Sequence, residues 1–331
     1  MTRIAVLGGG SWGTTLAGML SEKGLDVRLW IREKELVDEI RKTGENSLFL
    51  PGIKLDSRLN VSQDQFEVMQ GADYFLVAIP TQFMRKALEG VKDLFPENPV
   101  IICASKGVEL ATLKPMSAVV QESLQEKKPR YAIISGPSFA GEVSRKLPTA
   151  VSLGCRDQEL GRRVRDVLST DFFRVYDNPD YKGVELGGAL KNIMAIAAGI
   201  SDGLEFGHDA RAALITRGLV EMARLGVALG GRERTFMGLS GMGDLVLTCT
   251  GDLSRNRQVG LKLGRGMTLD EIVEGSRMVA EGVKTTESVW HLARKMRVDM
   301  PITEQVYQVL FQGKDPRTGV QDLMTRDLKM E

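Results

Sequence analysis

One lysine of this chain stands where lysines are costly. Lys191 lies in Gly187-Gly188-Ala189-Leu190-Lys191-Asn192-Ile193-Met194-Ala195-Ile196-Ala197-Ala198, a run otherwise small and almost wholly apolar. At helical spacing its neighbours are Gly187, Gly188, Met194 and Ala195, none of them acidic, so no partner one turn away offsets its charge. Gly188, Lys191, Asn192, Ala195 and Gly199 share a helix face nearly bare of bulk, open to another surface or a ligand. A desolvated lysine holds its proton less tightly and exchanges it near neutrality, which suits a general acid or base. The ordinary alternative is a lysine that snorkels to solvent from a packed helix. Two adjacent glycines weigh against it, because they cost helix stability.

A second constellation opens the chain. Ile4-Ala5-Val6-Leu7 runs into Gly8-Gly9-Gly10-Ser11-Trp12-Gly13 and then into a helical pattern, meeting G-x-G-x-x-G at Gly8, Gly10 and Gly13. In a dinucleotide-binding turn the first glycine permits the tight turn. The second lets a pyrophosphate approach the backbone, and the third lets helix and strand pack closely. The helix start then offers N–H groups and a positive dipole end to the phosphates. Such a motif is weak alone; a strand before it and a helix after it make it specific, against a glycine-rich turn without a ligand. The next strand, Val27–Trp30, ends in Ile31-Arg32 with Glu33 following, not in the acid expected of a strict NAD site. Arg32 suits a 2′-phosphate or is a solvated strand-end arginine, which leaves NADPH open beside NADH.

Further polar residues fall just after apolar runs: Pro80 after Ile79, Ser105-Lys106 after Ala104, and Ser135-Gly136-Pro137-Ser138 after Ile134. Ligands of doubly wound sheets gather beyond such strand ends, although a lone Lys106 is more often solvated. Later, Gly238-Leu239-Ser240-Gly241-Met242-Gly243-Asp244 is dense in glycine, and Ser254-Arg255-Asn256 starts a candidate helix able to bind a phosphate. Taken alone, the latter reads equally as a capped helix with solvated arginines.

The elements that must position these groups divide the chain in two. Arg3–Leu7, Asp26–Trp30, Tyr74–Ile79, Val100–Ala104 and Tyr131–Ile134 read as buried parallel strands, with Ala150–Leu153 and Phe172–Tyr176 as edge additions. Helical patterns at Thr14–Lys23, Gln82–Phe95 and Leu113–Glu126 alternate with them, and Lys42–Gln63 reads as an irregular excursion. Beyond the plausible linker Asn178-Pro179-Asp180 the pattern is helical only, at Val184–Ile200, Ala210–Leu229, Thr268–Glu274, Thr285–Met296 and Ile302–Gln312. The expectation is an α/β Rossmann domain, a doubly wound and mostly parallel sheet, over residues 1–178, and an all-α substrate-binding and dimerisation domain over 179–331.

Composition narrows the partners. The 331 residues carry 44 basic and 43 acidic side chains, a balance that gives no reason to expect nucleic acid or an anionic membrane as main partner. No apolar run approaches the ~18 residues of a membrane span, and no secretory signal is visible. Two histidines make a His-rich metal site improbable, and no metal is expected. Cys103, Cys155 and Cys249 have mostly apolar or small neighbours and read as buried free thiols, which fits a reducing cytoplasm.

Together these motifs resemble the bacterial-type NAD(P)-dependent glycerol-3-phosphate dehydrogenases. The matches run in order along nearly the whole chain: Gly8-Gly9-Gly10-Ser11-Trp12-Gly13-Thr14, Ser105-Lys106-Gly107, Ser135-Gly136-Pro137-Ser138-Phe139-Ala140, Leu190-Lys191-Asn192, Asp202-Gly203-Leu204, Ala212-Ala213-Leu214, Arg217-Gly218, Gly241-Met242-Gly243-Asp244, Ser254-Arg255-Asn256 and Glu281-Gly282. The segment Gly207-His208-Asp209-Ala210-Arg211 departs from the Gly-x-Asn-Thr common in that family.

The resemblance implies reversible hydride transfer between NAD(P)H and dihydroxyacetone phosphate, giving glycerol 3-phosphate for phospholipid synthesis, by a cytoplasmic homodimer. It implies Lys191 as the catalytic lysine, with Lys106 and Asp244 assisting. Lys106, Gly136, Ser138, Lys191, Asp244, Ser254, Arg255 and Asn256 match substrate-contacting positions. Ser11, Trp12, Arg32, Lys106, Ala140, Arg255, Val279 and Glu281 match cofactor-contacting positions, joined by Gly8, Gly10 and Gly13 of the turn and by Pro80, expected beside the nicotinamide. The competing readings are a dehydrogenase of β-hydroxy acids or ketopantoate, which would lack the Ser254-Arg255-Asn256 loop, and a dinucleotide sensor without catalysis.

Overall fold

The computed structural model describes residues 1–274 and 280–327. They form two compact units, one of residues 1–106 and 115–185, the other of residues 107–114 and the described residues from 186 onward.

The first unit is built on an eight-stranded sheet: β1 (Arg3–Leu7), β2 (Asp26–Trp30), β3 (Asn60–Ser62), β4 (Tyr74–Val77), β5 (Val100–Cys103), β6 (Arg130–Ser135), β7 (Thr149–Cys155) and β8 (Phe173–Asn178). Its order is β3-β2-β1-β4-β5-β6-β7-β8. All neighbours are parallel except β6 and β7, which pair antiparallel from Ala132↔Cys155 to Ser135↔Ser152. This is the doubly wound, mostly parallel sheet expected. Alternation along the strands explains its burial on both faces. Ile4 and Val6 of β1 pack with Leu16 and Leu20 of the helix Ser11–Glu22, whereas Ala5 and Leu7 pack with Met84, Leu88 and Val119 on the other face. The sequence reading lacks the helices Lys34–Thr43, Gln65–Met69 and Gln158–Leu168, and two further details differ. β3 lies inside the stretch taken as an irregular excursion. The helix expected over Gln82–Phe95 is split into a 3-10 turn, the helix Met84–Gly90 and a second 3-10 turn, Lys92–Leu94.

Asn178-Pro179-Asp180 spans the end of β8 and the approach to the long helix Tyr181–Gly203; the division into units falls within that helix, after Glu185. Glu185 itself is buried in the first unit, where its carboxylate accepts from Ser117 N (2.7 Å), Ser117 Oγ (2.7 Å) and Tyr131 OH (2.8 Å).

Among its described residues the second unit is helical, as the loss of strand periodicity after residue 178 predicts. Leu190, Ile193, Met194 and Ile196 of the Tyr181–Gly203 helix sit in its core. Around them pack Leu219, Met222 and Leu225 of Gly207–Ala228, Leu245 and Cys249 of Asp244–Thr250, Val259 and Leu263 of Arg255–Gly264, and Val289 and Leu292 of Glu281–Met296. By length and composition the Tyr181–Gly203 helix meets the measure for a membrane span, but that apolar window is wholly buried inside the protein. Cys103, Cys155 and Cys249 are buried free thiols, as expected.

Candidate active site

The residues singled out from the sequence fall into two groups, one in each unit.

In the first unit they line the carboxyl ends of β1, β4, β5 and β6, which lie side by side in the sheet. Gly8 has φ +120°, and a Cβ there would sit 2.5 Å from the Ala78 carbonyl oxygen. At Gly13 a Cβ would lie 1.9 Å from Gly8 O, so only glycine lets the helix pack this close to the turn. Gly10 differs: nothing lies within 4 Å of where its Cβ would be, and no side chain caps the helix that follows. An open space against an uncapped helix start fits a dinucleotide's pyrophosphate. The turn is fastened by a residue the sequence reading passed over. Asn46, fully buried, donates to Gly9 O (3.0 Å) and to Thr14 Oγ1 (2.8 Å). The Ser11 hydroxyl donates to Phe49 O (2.6 Å).

Arg32 follows β2 with its side chain largely exposed and its guanidinium on Glu33 Oε1 at 2.6 Å. The exposed Pro80 opens the turn after β4. The buried Ser105 Oγ ties the loop after β5 to that turn through Ile79 O (2.6 Å). Lys106 Nζ (3.5 Å) and Ser138 Oγ (2.9 Å) both donate to Gly136 O. Gly136 needs its φ of +152°, and a Cβ there would lie 2.9 Å from Val151 Cα. Ala140 begins the short helix Ala140–Val143, and its carbonyl accepts from Thr15 Oγ1 (3.3 Å).

In the second unit Lys191 is buried and paired. Its Nζ lies 2.5 Å from Asp244 Oδ1 and donates to Thr248 Oγ1 at 2.8 Å. Thr248 in turn donates to Asp244 O (2.5 Å). The local sequence offered Lys191 no acid; the fold brings one from a helix 53 positions along the chain. Burial discourages the ammonium, while a carboxylate in contact favours it. Thr248 was not foreseen, although its i,i+4 spacing from Asp244 on a short helix is a usable signal. Burial pushes the Cys249 thiol, next along the chain, up to about 12, which rules it out as a thiolate nucleophile at neutral pH.

Gly187, costly in a helix, has a packing reason: a Cβ on it would lie 2.5 Å from Ser240 O, so the glycine admits the glycine-rich loop. Ser254 caps the Arg255–Gly264 helix by accepting from Arg257 N (3.2 Å), leaving Arg255 exposed and Asn256 buried in its first turn. Asn256 Oδ1 accepts from Gly282 N (3.0 Å), and a Cβ on Gly282 would meet both Asn256 Oδ1 and Asn192 O. Glu281 opens the helix carrying Gly282, whereas Val279 lies outside the described residues. Among the described residues no group of three His, Cys, Asp or Glu is placed to hold a metal ion.

Comparison with known proteins decides the family. Residues 3–161 match the N-terminal model, and residues 180–321 the C-terminal model, of NAD-dependent glycerol-3-phosphate dehydrogenase. A glycerol-3-phosphate dehydrogenase [NAD(P)+] of Maridesulfovibrio salexigens is 63% identical over 99% of this chain and 100% of its own length. The chain belongs to the NAD-dependent glycerol-3-phosphate dehydrogenase family. A second such dehydrogenase, from Solidesulfovibrio magneticus, is 60% identical over 99% of this chain and 100% of its own. The crystal structure of glycerol-3-phosphate dehydrogenase from Coxiella burnetii superposes with a TM-score of 0.94 at 42% identity, covering 98% of this chain and 99% of that one. Within a glycerol-3-phosphate dehydrogenase, a buried lysine held by a carboxylate and an anion-ready helix start have an immediate chemical reading.

Proposed function

We propose that this chain catalyses the reversible, NAD(P)-dependent interconversion of dihydroxyacetone phosphate and sn-glycerol 3-phosphate, supplying the glycerol backbone of phospholipids. Residues 1–178 serve as the cofactor domain and residues 179–331 as the substrate and dimerisation domain of a cytoplasmic homodimer. The observation that carries the reading is the buried contact of Lys191 Nζ with Asp244 and Thr248, in a chain so similar to dehydrogenases of that name.

Gly8, Gly10, Ser11, Trp12 and Gly13 would hold the dinucleotide, with Arg32 toward the adenosine ribose or its 2′-phosphate. Pro80, Lys106, Ala140, Arg255, Val279 and Glu281 supply further contacts. Bound NAD(P)H supplies the hydride that reduces the ketone carbon. Lys191 gives a proton to the ketone oxygen in that direction and takes the hydroxyl proton in the other. Asp244 keeps Lys191 charged and aimed, and Thr248 fixes the remaining freedom of the ammonium. Arg255, Asn256 and the capped first turn that begins at Ser254 hold the phosphate dianion. Fixed donors are needed, because a nearly neutral chain offers little long-range steering. Lys106, Gly136 and Ser138 complete the substrate contacts. Positioning and charge stabilisation carry most of the barrier reduction.

The test is substrate discrimination. Dihydroxyacetone phosphate oxidises NAD(P)H with kcat/KM at least about 100-fold above that for dihydroxyacetone, as loss of a charge-assisted anion site requires. Equal use of the two ketones would refute the anion site.

A further inference from the structure

We propose that Arg257 and Asp202 are positioning residues that lock the phosphate-binding turn to the lysine-bearing helix, and that Arg211 of the divergent Gly207–Arg211 segment is part of that lock. The inference rests on the reading of Arg255 and Asn256 as the phosphate site.

Two helices meet here backbone to backbone at their glycines. On the Tyr181–Gly203 helix, a Cβ at Gly199 would lie 2.0 Å from Arg257 O, and one at Gly203 2.5 Å from Leu261 O. On the Arg255–Gly264 helix, a Cβ at Gly260 would lie 2.0 Å from Ile196 O, and one at Gly264 2.5 Å from Ile200 O. Both helices thus present glycines one turn apart, and their backbones touch. The bare face of the lysine helix is therefore filled, at its Gly199 end, by the backbone of the helix whose first turn carries Arg255 and Asn256.

Glycines let the two backbones approach but bring no side chain of their own to fix rotation or sliding at the contact. A buried ion pair supplies what they lack. Arg257 Nε (2.9 Å) and an Nη (2.7 Å) both reach Asp202 Oδ2, and its other Nη reaches Asp252 Oδ1 (2.9 Å). The side chains of Arg257 and Asp202 are only 10% and 11% exposed. Asp202 lies on the lysine helix, about three turns beyond Lys191, and Arg257 follows directly on Asn256. Asp202 also takes Arg211 Nη1 on both oxygens (3.1 and 3.2 Å), while Arg211 Nη2 contacts His208 Nδ1 (2.7 Å). One carboxylate thereby gathers two guanidiniums, whose planar forks fix direction as well as distance. The lock fixes the phosphate-binding turn against the lysine helix, and so the tightness with which that turn holds the phosphate.

Arg257→Lys tests this, since it keeps the charge and removes the fork. The expected result is a rise of about tenfold in KM for dihydroxyacetone phosphate with kcat within about threefold, as a misplaced anion site produces. Turnover of unphosphorylated dihydroxyacetone, which uses no anion site, stays within about twofold. Because Arg257 acts through Arg255, adding Arg257→Lys to Arg255→Ala costs less than about threefold further. Arg211→Lys, nearer the surface, shows the same split more weakly and serves if Arg257→Lys fails to fold. If Arg255→Ala leaves KM for dihydroxyacetone phosphate unchanged, the phosphate reading itself falls and the lock with it. If Arg255→Ala raises KM but the two substitutions multiply, or if both ketones suffer equally from Arg257→Lys, the lock is overturned while the phosphate reading stands.

Discussion

The Lys191–Asp244 pair makes a prediction that separates stability from catalysis. The two charged groups lie 2.5 Å apart, with side chains 10% and 1% exposed. At an effective dielectric of about 20 their attraction is roughly 7 kcal/mol. Desolvation costs several kcal/mol for each ion, so the intact pair is close to balance, whereas removing one partner strands the other. Asp244→Ala should therefore destabilise the protein by about 3–5 kcal/mol, even with Thr248 still accepting from Lys191. Lys191→Met should cost a similar amount. The double variant Lys191→Met/Asp244→Ala should recover most of the loss, because no buried charge remains. For a unit of this size about 3–5 kcal/mol corresponds to a fall of roughly 6–20 °C in melting temperature. Activity follows a different pattern: both Lys191 variants should lose about 100-fold or more in kcat, and the double variant should regain none. The assays are thermal unfolding by circular dichroism and ketone-dependent NAD(P)H oxidation. Additive destabilisation in the double variant would refute the electrostatic coupling, and near-native turnover in Lys191→Met would refute its role as proton donor.

Three further outcomes follow from particular contacts. Gly199→Ala forces a Cβ against the Arg257 carbonyl and should cost about 3 kcal/mol by thermal unfolding, since a helix backbone cannot yield as a side chain can; an unchanged melting temperature would show that the helices separate freely. Burial raises the Glu185 carboxyl above its ordinary value of 4.5 against the pull of Ser117 and Tyr131. A carboxyl that titrates higher when folded contributes stability at acid pH and loses it as pH rises through the folded value, so the melting temperature of native protein minus that of Glu185→Gln should fall from pH 4.5 toward neutrality; a constant or rising difference would contradict the assignment. Arg32→Ala should raise KM for NADPH about tenfold and change that for NADH less than about twofold; equal effects on both cofactors would remove Arg32 from the ribose site.

Much of the first unit was legible because its signals are local. β1 is a nearly continuous apolar run and β2 alternates polar with apolar residues, both bounded by turn residues, and the structure places both within the bounds read from sequence. The glycine turn was legible for the same reason, since a tight turn must be written in consecutive residues. β3 was not: it is three residues at the sheet edge with one apolar side chain, Val61, and no periodicity can build on that. Five helices of the second unit are legible by their period, whereas Glu233–Phe236, Asp244–Thr250 and Pro316–Met324 are not, and none of the contacts is. Lys191 looked solitary because helical spacing reports only partners three or four residues away, while Asp244 arrives from elsewhere in the chain. Gly199, Gly203, Gly260 and Gly264 carry no sequence signal of which backbone they admit, so a face that looked open is partly occupied by another helix. Asn46 and Arg257 were missed alike, because each acts by holding a motif in place without belonging to it.

The most direct test of the central claim is an absorbance assay of the purified protein with dihydroxyacetone phosphate, offering NADH and NADPH in parallel. The account predicts ketone-dependent oxidation of at least one cofactor, with sn-glycerol 3-phosphate formed in equal amount. Dinucleotide binding without any ketone-dependent loss of absorbance would contradict it and leave a dinucleotide-binding protein without catalysis.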